Sequence, residues 1–189
     1  MDKNFEIRSY GGAPAVQGRV ISGYAIVFNS FSEVRLSENR RFKEIILPTA
    51  LTKQLLDRCD ILMLLEHRNE KLLARSKQGR GTLAYSIDEK GVRYRFEAPK
   101  TADGRFAVEM IKRGDINGSS FAFNATGGDT WERKGGIWVR TIHSIKIVRD
   151  FSIVSDPAYT ETTADVRNIL QYESLTGWQN EINRLKSLL

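Results

Sequence analysis

The sequence has little of what cross-links, metal sites or membrane spans require. Of its 189 residues only Cys59 is a cysteine, which excludes an intramolecular disulfide and a cysteine-rich zinc site. Its longest uninterrupted apolar runs have five residues, as at 61–65, whereas a membrane-spanning helix needs about 20. The first twelve residues also carry no apolar signal-peptide core. We therefore expect a soluble protein of a reducing compartment, with no membrane partner.

Charge of one sign is not concentrated anywhere along the chain. The 29 basic and 23 acidic residues give a net charge of +6, but the basic residues alternate with acidic and apolar ones. A nucleic-acid groove needs a dense basic patch, so we do not expect nucleic acid as a partner, and a basic nucleic-acid-binding module is the third-ranked interpretation. With 41% hydrophobic residues the chain can build the core of one domain.

Short segments with alternating apolar residues, separated by glycine-containing turns, recur through the first 155 residues and predict a mostly-β domain. Two helices interrupt this pattern, one beginning near Pro48 and one running from Ala102 to a stop at Gly114. The last strand segment is long enough to bend or to form two strands. The predicted strand segments are 19–29, 61–65, 83–88, 92–98, 120–126 and 137–154.

The sequence pattern changes after residues 157–159, where the alternating apolar residues end. A polar stretch leads to a helical pattern of apolar residues, and Thr176 and Gln179 form a T-x-x-Q capping box at its start. We therefore divide the chain into a domain over 1–160 and a C-terminal linker with an amphipathic helix over 161–189. This helix either packs on its own domain or docks on a partner. Its apolar positions are Leu175, Trp178, Ile182, Leu185 and Leu188.

Only two histidines occur, and strand alternation predicts an orientation for each. His67 follows the apolar run at 61–65, so its ring should lie at the end of a buried strand, where a loop begins. A general base must be held firmly and still reach its substrate, which suits this position. His143 shares a predicted strand face with Val139 and Ile145 and should point inward, where it needs hydrogen-bond partners. A purely structural role remains open for both.

Two side chains are candidate nucleophiles. Ser120 follows a glycine turn and shares a strand face with the small Ala122, which leaves room for a substrate backbone. A Gly-Ser-Ser triplet in a turn can equally serve only hydrogen bonding. Cys59 competes with Ser120, because cysteine and histidine also form a catalytic pair, although a buried free cysteine is far commoner than a reactive one.

Five segments of the sequence occur in an order typical of one viral enzyme family. They are GYAIVFN at 23–29, FKEIILPTAL at 42–51, LLEHR at 64–68, KRGDINGSSFAF at 112–123 and RTIHSIKIVRDFSIVSDPAY at 140–159. Over roughly residues 19–160 the chain resembles the prohead proteases of tailed phages, serine endopeptidases that mature the procapsid. That family is similar in fold and active-site plan to the herpesvirus assemblins. The resemblance implies an α+β, mostly-β fold with an antiparallel β-barrel core and a few flanking helices.

The resemblance also implies roles for individual residues. His67 takes the place of the general base and acid, and Ser120 takes the nucleophile's place in a G-x-S-F pattern, with Ser119 as the adjacent alternative. Assemblins use a second histidine downstream of the serine, and His143 lies in a comparable place. Asp150 competes with His143 for this third role.

One further role follows from the assemblin pattern, which has an arginine pair after the second histidine. Arg149 is the candidate for the oxyanion site, although the next residue here is an aspartate and the match is incomplete. The resemblance implies no cofactor.

The implied function is that of a serine endopeptidase that cleaves capsid or scaffold protein, and itself, during procapsid maturation. Its place would be inside the procapsid in the host cytoplasm. The implied partners are the major capsid protein and its scaffold region, with the portal protein and a homo-oligomer as further candidates. The alternative is a catalytically silent procapsid assembly or scaffold protein of the same fold. The presence of both His67 and Ser120 favours the enzyme.

Overall fold

The computed structural model describes residues 5–10, 12–37 and 40–156, which consist mostly of β-strands. Two α-helices, α1 (Lys53–Arg58) and α2 (Ala102–Arg113), and a 3₁₀ helix at Pro48–Ala50 interrupt the strands. No helix within these ranges is long and apolar enough to span a bilayer. The strands are β1 (Glu6–Tyr10), β2 (Ala15–Gln17), β3 (Val20–Val27), β4 (Ser32–Ser37), β5 (Arg40–Ile46), β6 (Asp60–Leu65), β7 (Arg68–Lys77), β8 (Arg80–Gly81), β9 (Leu83–Ile87), β10 (Gly91–Glu97), β11 (Gly118–Asn124), β12 (Asp129–Lys134), β13 (Ile137–Ile142) and β14 (Ile147–Val154).

Three sheets organise these strands. The largest has six strands in the order β1-β11-β14-β6-β7-β8, and the other two have the orders β2-β3-β10-β9 and β12-β13-β5-β4. The expected α+β, mostly-β class is confirmed, but the sheets of the described residues do not close into the expected antiparallel β-barrel. Each of the three sheets ends in edge strands, and the pairs β14–β6 and β13–β5 run parallel because their connections cross over.

Most predicted elements lie close to the observed ones. The strand segments at 19–29, 61–65, 83–88, 92–98 and 120–126 correspond to β3, β6, β9, β10 and β11. The long segment at 137–154 forms two strands, β13 and β14, with residues 143–146 between them. Helix α1 begins later than predicted, because its N-cap is Thr52, whose side chain accepts a hydrogen bond from the Leu55 N–H. Helix α2 ends as predicted at Gly114, which has a φ of 83°.

The core lies between the six-stranded sheet and the sheet that contains β3 and β10. On β11 and β14 alternate side chains point into it, and Phe121 and Phe151 are Cα partners across the two strands. Complete burial of such a side chain contributes about 1.5–3 kcal/mol to stability. The apolar face therefore anchors the central strands, and their other face is left for polar side chains. The predicted boundary near residue 160 and the amphipathic helix at 161–189 lie outside the described residues.

Candidate active site

Ser119 and Ser120 lie on opposite faces of β11. Successive side chains of a strand alternate between its two faces, and each serine has its own partners. The Ser119 hydroxyl lies 2.8 Å from the hydroxyl of Tyr94 on the core side. The Ser120 Oγ lies on the other side, 2.6 Å from the Nε2 atom of His67. The geometry thus brings Ser120, and not its neighbour, to the histidine.

His67 occupies a strained turn. Strand β6 ends at Leu65, and Glu66 and His67 have φ values of 56° and 54° in the two-residue turn to β7. Positive φ at both central positions is the geometry of a type I′ hairpin turn, which glycine and asparagine prefer. The turn is tied to β14, because the Glu66 N–H donates to the Ile153 carbonyl at 3.1 Å and the His67 N–H donates to Ser152 Oγ at 3.2 Å. These bonds fix the imidazole over the polar face of β11 and β14.

The second ring nitrogen of His67 faces a carboxylate. Its Nδ1 atom lies 2.6 Å from Oδ1 of Asp150, whose side chain is only 4% exposed. Strand β14 has a bulge at Arg149, where the pairing with β11 shifts by one residue, and a bulge re-aims the neighbouring side chains. An ionised carboxylate only accepts hydrogen bonds, so it selects the tautomer with the proton on Nδ1 and leaves Nε2 to accept a proton from Ser120.

Ser152 forms hydrogen bonds with both Asp150 and His67. Its fully buried hydroxyl donates to Asp150 Oδ1 at 3.1 Å and accepts the His67 N–H. It therefore holds both the carboxylate and the histidine backbone. Sequence reasoning missed this residue. The available signal was the i, i+2 spacing of Asp150 and Ser152, which places both on one face of a strand.

His143 is not part of this group, which corrects the expectation from the sequence. It is exposed, and its backbone N–H donates to the Gly128 carbonyl at 2.9 Å. The predicted inward orientation is wrong because β13 ends at Ile142, so strand alternation no longer applies one residue later. The structure brings together His67, Ser120 and Asp150.

The two remaining candidates lie in other surroundings. The guanidinium carbon of Arg149 stands 5.6 Å from the centre of the Phe5 ring, a cation–π contact, so its role at an oxyanion stays a prediction. Cys59 is buried at the C-cap of α1, and its Sγ donates to the Leu55 carbonyl at 3.2 Å. A buried thiol with such a partner packs as a small apolar side chain.

The linked hydroxyl, imidazole and carboxylate can perform acyl transfer. A serine is a weak nucleophile unless a base takes its proton during attack, and the base must be held in the correct tautomer. Ser120, His67 and Asp150 meet these needs at two contacts of 2.6 Å. The three residues come from three different strands or turns, which the six-stranded sheet brings side by side.

Comparison with known proteins gives one family and one solved structure. The family described as caudovirus prohead serine protease matches residues 3–174. The chain is also similar to the solved structure of the bacteriophage T4 capsid assembly protease, with 12% sequence identity and a TM-score of 0.47. The similarity covers 79% of this chain and 97% of that one. The sequence matches no curated protein.

Proposed function

Because the chain belongs to the caudovirus prohead serine protease family, we propose that it cleaves capsid or scaffold protein, and itself, during procapsid maturation. The observation that supports a serine mechanism is the hydrogen-bonded series Ser120, His67 and Asp150. The proposed partners are the major capsid protein and its scaffold region, with the portal protein and a second copy of the chain as further candidates. The proposed location is the procapsid in the host cytoplasm.

The reaction would begin with attack of Ser120 Oγ on the carbonyl carbon of a peptide bond. His67 Nε2 takes the hydroxyl proton as the new C–O bond forms and the carbonyl becomes an oxyanion. When the tetrahedral intermediate collapses, the C–N bond breaks and His67 gives that proton to the leaving amine. A water molecule then hydrolyses the acyl-enzyme by the same route, with His67 again as the base.

Asp150 would act on the imidazole without touching the substrate. Its carboxylate accepts a hydrogen bond from the Nδ1–H, with 2.6 Å between Nδ1 and Oδ1, and stabilises the imidazolium that forms during attack. Positioned proton transfer typically contributes about 10² to 10⁴ in rate. Ser152 would keep the carboxylate oriented through its own hydrogen bond.

The test is co-expression with the major capsid protein of the same phage, followed by intact-mass measurement of both polypeptides. Three chains are compared: the wild type, Ser120→Ala and Ser119→Ala. We expect shortened capsid protein with the wild type and with Ser119→Ala, and none with Ser120→Ala, because the two serines differ in the face on which they lie.

Uncut capsid protein in all three cases, in particles that contain the chain, would contradict this proposal. It would favour the catalytically silent assembly or scaffold protein. Cleavage that survives Ser120→Ala but disappears with Ser119→Ala would mean that the neighbouring serine is the nucleophile.

A further inference from the structure

Strand β1 covers the candidate nucleophile. It is the edge strand of the six-stranded sheet and runs antiparallel to β11, with Ser9 directly opposite Ser120. The Ser120 side chain is fully buried, and its hydroxyl donates to the main-chain carbonyl of Arg8 at 2.9 Å. A peptide substrate must bring a carbonyl to this hydroxyl, and a carbonyl of the chain itself already lies there.

The Arg8 carbonyl also competes for the proton that catalysis needs. The Ser120 hydroxyl has one proton and two acceptors within reach, the Arg8 oxygen at 2.9 Å and His67 Nε2 at 2.6 Å. A proton donated to Arg8 is not placed for transfer to the imidazole. With β1 in position, the hydroxyl is therefore shielded from substrate, and the Arg8 carbonyl competes with His67 for its proton.

A buried cluster of charged side chains holds β1 in register. Arg8 donates to Glu44 from Nε at 2.7 Å and from Nη2 at 3.0 Å, and Glu6 accepts from Arg140 Nη2 at 2.9 Å. Burial alone lowers the pKa of Arg140, but the hydrogen bond and charge of Glu6 and the charge of Glu44 raise it above its ordinary value. Such a cluster contributes little net stability, because the cost of burying the charges offsets their attraction, but breaking one of its pairs is costly.

The composition of the cluster allows β1 to leave. The strand contributes one acid, Glu6, and one base, Arg8, so its departure removes no net charge. Arg140 then keeps two carboxylate partners, Glu44 at 3.0 Å and Asp129 at 2.7 Å. No cation is left buried and unpaired by the departure, which is the situation that makes breaking a buried ion pair so costly.

We propose that β1 is a displaceable cover of the active site and that a substrate peptide binds in its place as an added strand along β11. This inference rests on the proposed protease function. An extended peptide at a sheet edge gains main-chain hydrogen bonds whatever its sequence, and in this register it brings a carbonyl to Ser120. The free energy of substrate binding then includes the cost of displacing β1.

The test measures the reactivity of Ser120 with a fluorophosphonate, a probe that labels activated serines and needs no known substrate. The purified wild-type chain is compared with the double variant Glu6→Gln/Arg8→Gln, which removes both charges of β1 and leaves Ser120, His67 and Asp150 unchanged. We expect labelling of the double variant to be at least about tenfold faster, the rise in open fraction that corresponds to about 1.4 kcal/mol. Intact mass and Ser120→Ala identify the labelled residue.

A matched control separates release of β1 from general loosening. Leu83→Ala truncates a buried side chain on β9, an edge strand of a different sheet, and should leave the labelling rate at that of the wild type. Equal acceleration in Leu83→Ala would overturn the inference. Equal rates in the wild type and the double variant, or slower labelling of the double variant, would also overturn it and leave the serine mechanism intact.

A second measurement tests the peptide site itself. An acetylated and amidated peptide with the sequence of residues 5–10, FEIRSY, should slow labelling of the double variant, whereas a scrambled peptide should not. No slowing by either peptide would contradict a strand site at this edge. Absence of labelling at Ser120 in every folded chain would instead overturn the proposed function, because the hydroxyl would not be activated at all.

Discussion

The two faces of β11 use the same residue type for different purposes. Ser119 and Ser120 are adjacent and both fully buried, yet Ser119 meets Tyr94 within an aromatic core and Ser120 meets His67 on a polar face. Burial therefore does not distinguish a structural serine from a candidate nucleophile. The difference lies in the partner, since a phenol hydroxyl can only share a hydrogen bond, whereas an imidazole can remove the proton.

The two faces also differ in how many hydrogen-bond partners each serine hydroxyl has. On the core side, Ser119 and Tyr94 form one hydrogen bond at 2.8 Å. On the polar side, His67, Asp150 and Ser152 share several contacts, and the Ser120 hydroxyl has two acceptors for one proton. The Ser119–Tyr94 pair keeps the same two partners whichever hydroxyl donates, whereas the Ser120 proton can go to either of two different partners. Substitutions on the polar face should therefore change activity, and those on the core face should change stability.

Among substitutions that keep the nucleophile, Asp150→Asn should have the largest effect. The amide offers an N–H to His67 Nδ1, which favours the tautomer that carries its proton on Nε2 and cannot accept one from Ser120. The same exchange in a serine protease triad lowers kcat by about 10⁴, and we expect a fall of about 10³ to 10⁴ here. The measurement is the rate of capsid-protein cleavage by the purified variant, with thermal unfolding to show that it is folded.

His143→Ala is the control for this prediction. The residue is exposed and no described hydrogen bond joins its ring to the site, so the cleavage rate should stay within about twofold of the wild type. A loss as large as that of Asp150→Asn would mean that the second histidine takes the third role, as it does in assemblins.

Ser152→Ala should have an intermediate effect. The variant loses the hydrogen bond to Asp150 and leaves the His67 N–H without its acceptor, so the imidazole is less firmly placed. We expect kcat to fall about tenfold, less than the roughly 10² to 10⁴ that positioned proton transfer contributes, because His67 and Asp150 both remain, with KM nearly unchanged. A rise in KM with unchanged kcat would show instead that Ser152 serves substrate binding.

Local sequence patterns predicted seven of the fourteen described strands, and with the family resemblance they singled out His67 and Ser120. They missed β1, β2, β4, β5, β7, β8 and β12. They could not decide between His143 and Asp150, because nothing in the sequence at 143–146 marks the end of β13. The orientation of Asp150 depends on a bulge, which arises from pairing with β11 and not from local sequence. The charged cluster joins residues as distant in sequence as Glu6 and Arg140, a separation that no periodicity covers.

Ser119→Ala should change stability and not activity. It removes the partner of the Tyr94 hydroxyl inside the core, and a buried polar group without a partner costs about 1–3 kcal/mol. The free energy of unfolding in urea should fall by that amount, and the cleavage rate should stay within about twofold of the wild type. A large loss of activity in a folded Ser119→Ala chain would remove the distinction between the two faces.

Tyr94→Phe should have the smallest effect, visible only in alkaline solution. Burial raises the pKa of Tyr94 well above its ordinary value. Above about pH 10 the unfolded chain therefore loses this proton first, and the stability that Tyr94 contributes at lower pH is lost as the pH rises. The Tyr94→Phe variant has no phenol to titrate and does not lose this stability. Between pH 9 and 11 its free energy of unfolding should therefore rise by about 1 kcal/mol relative to that of the wild type. Ser119→Ala, which keeps Tyr94, should follow the wild type. A difference between wild type and Tyr94→Phe that stays constant over this range would mean that the core face admits the phenolate.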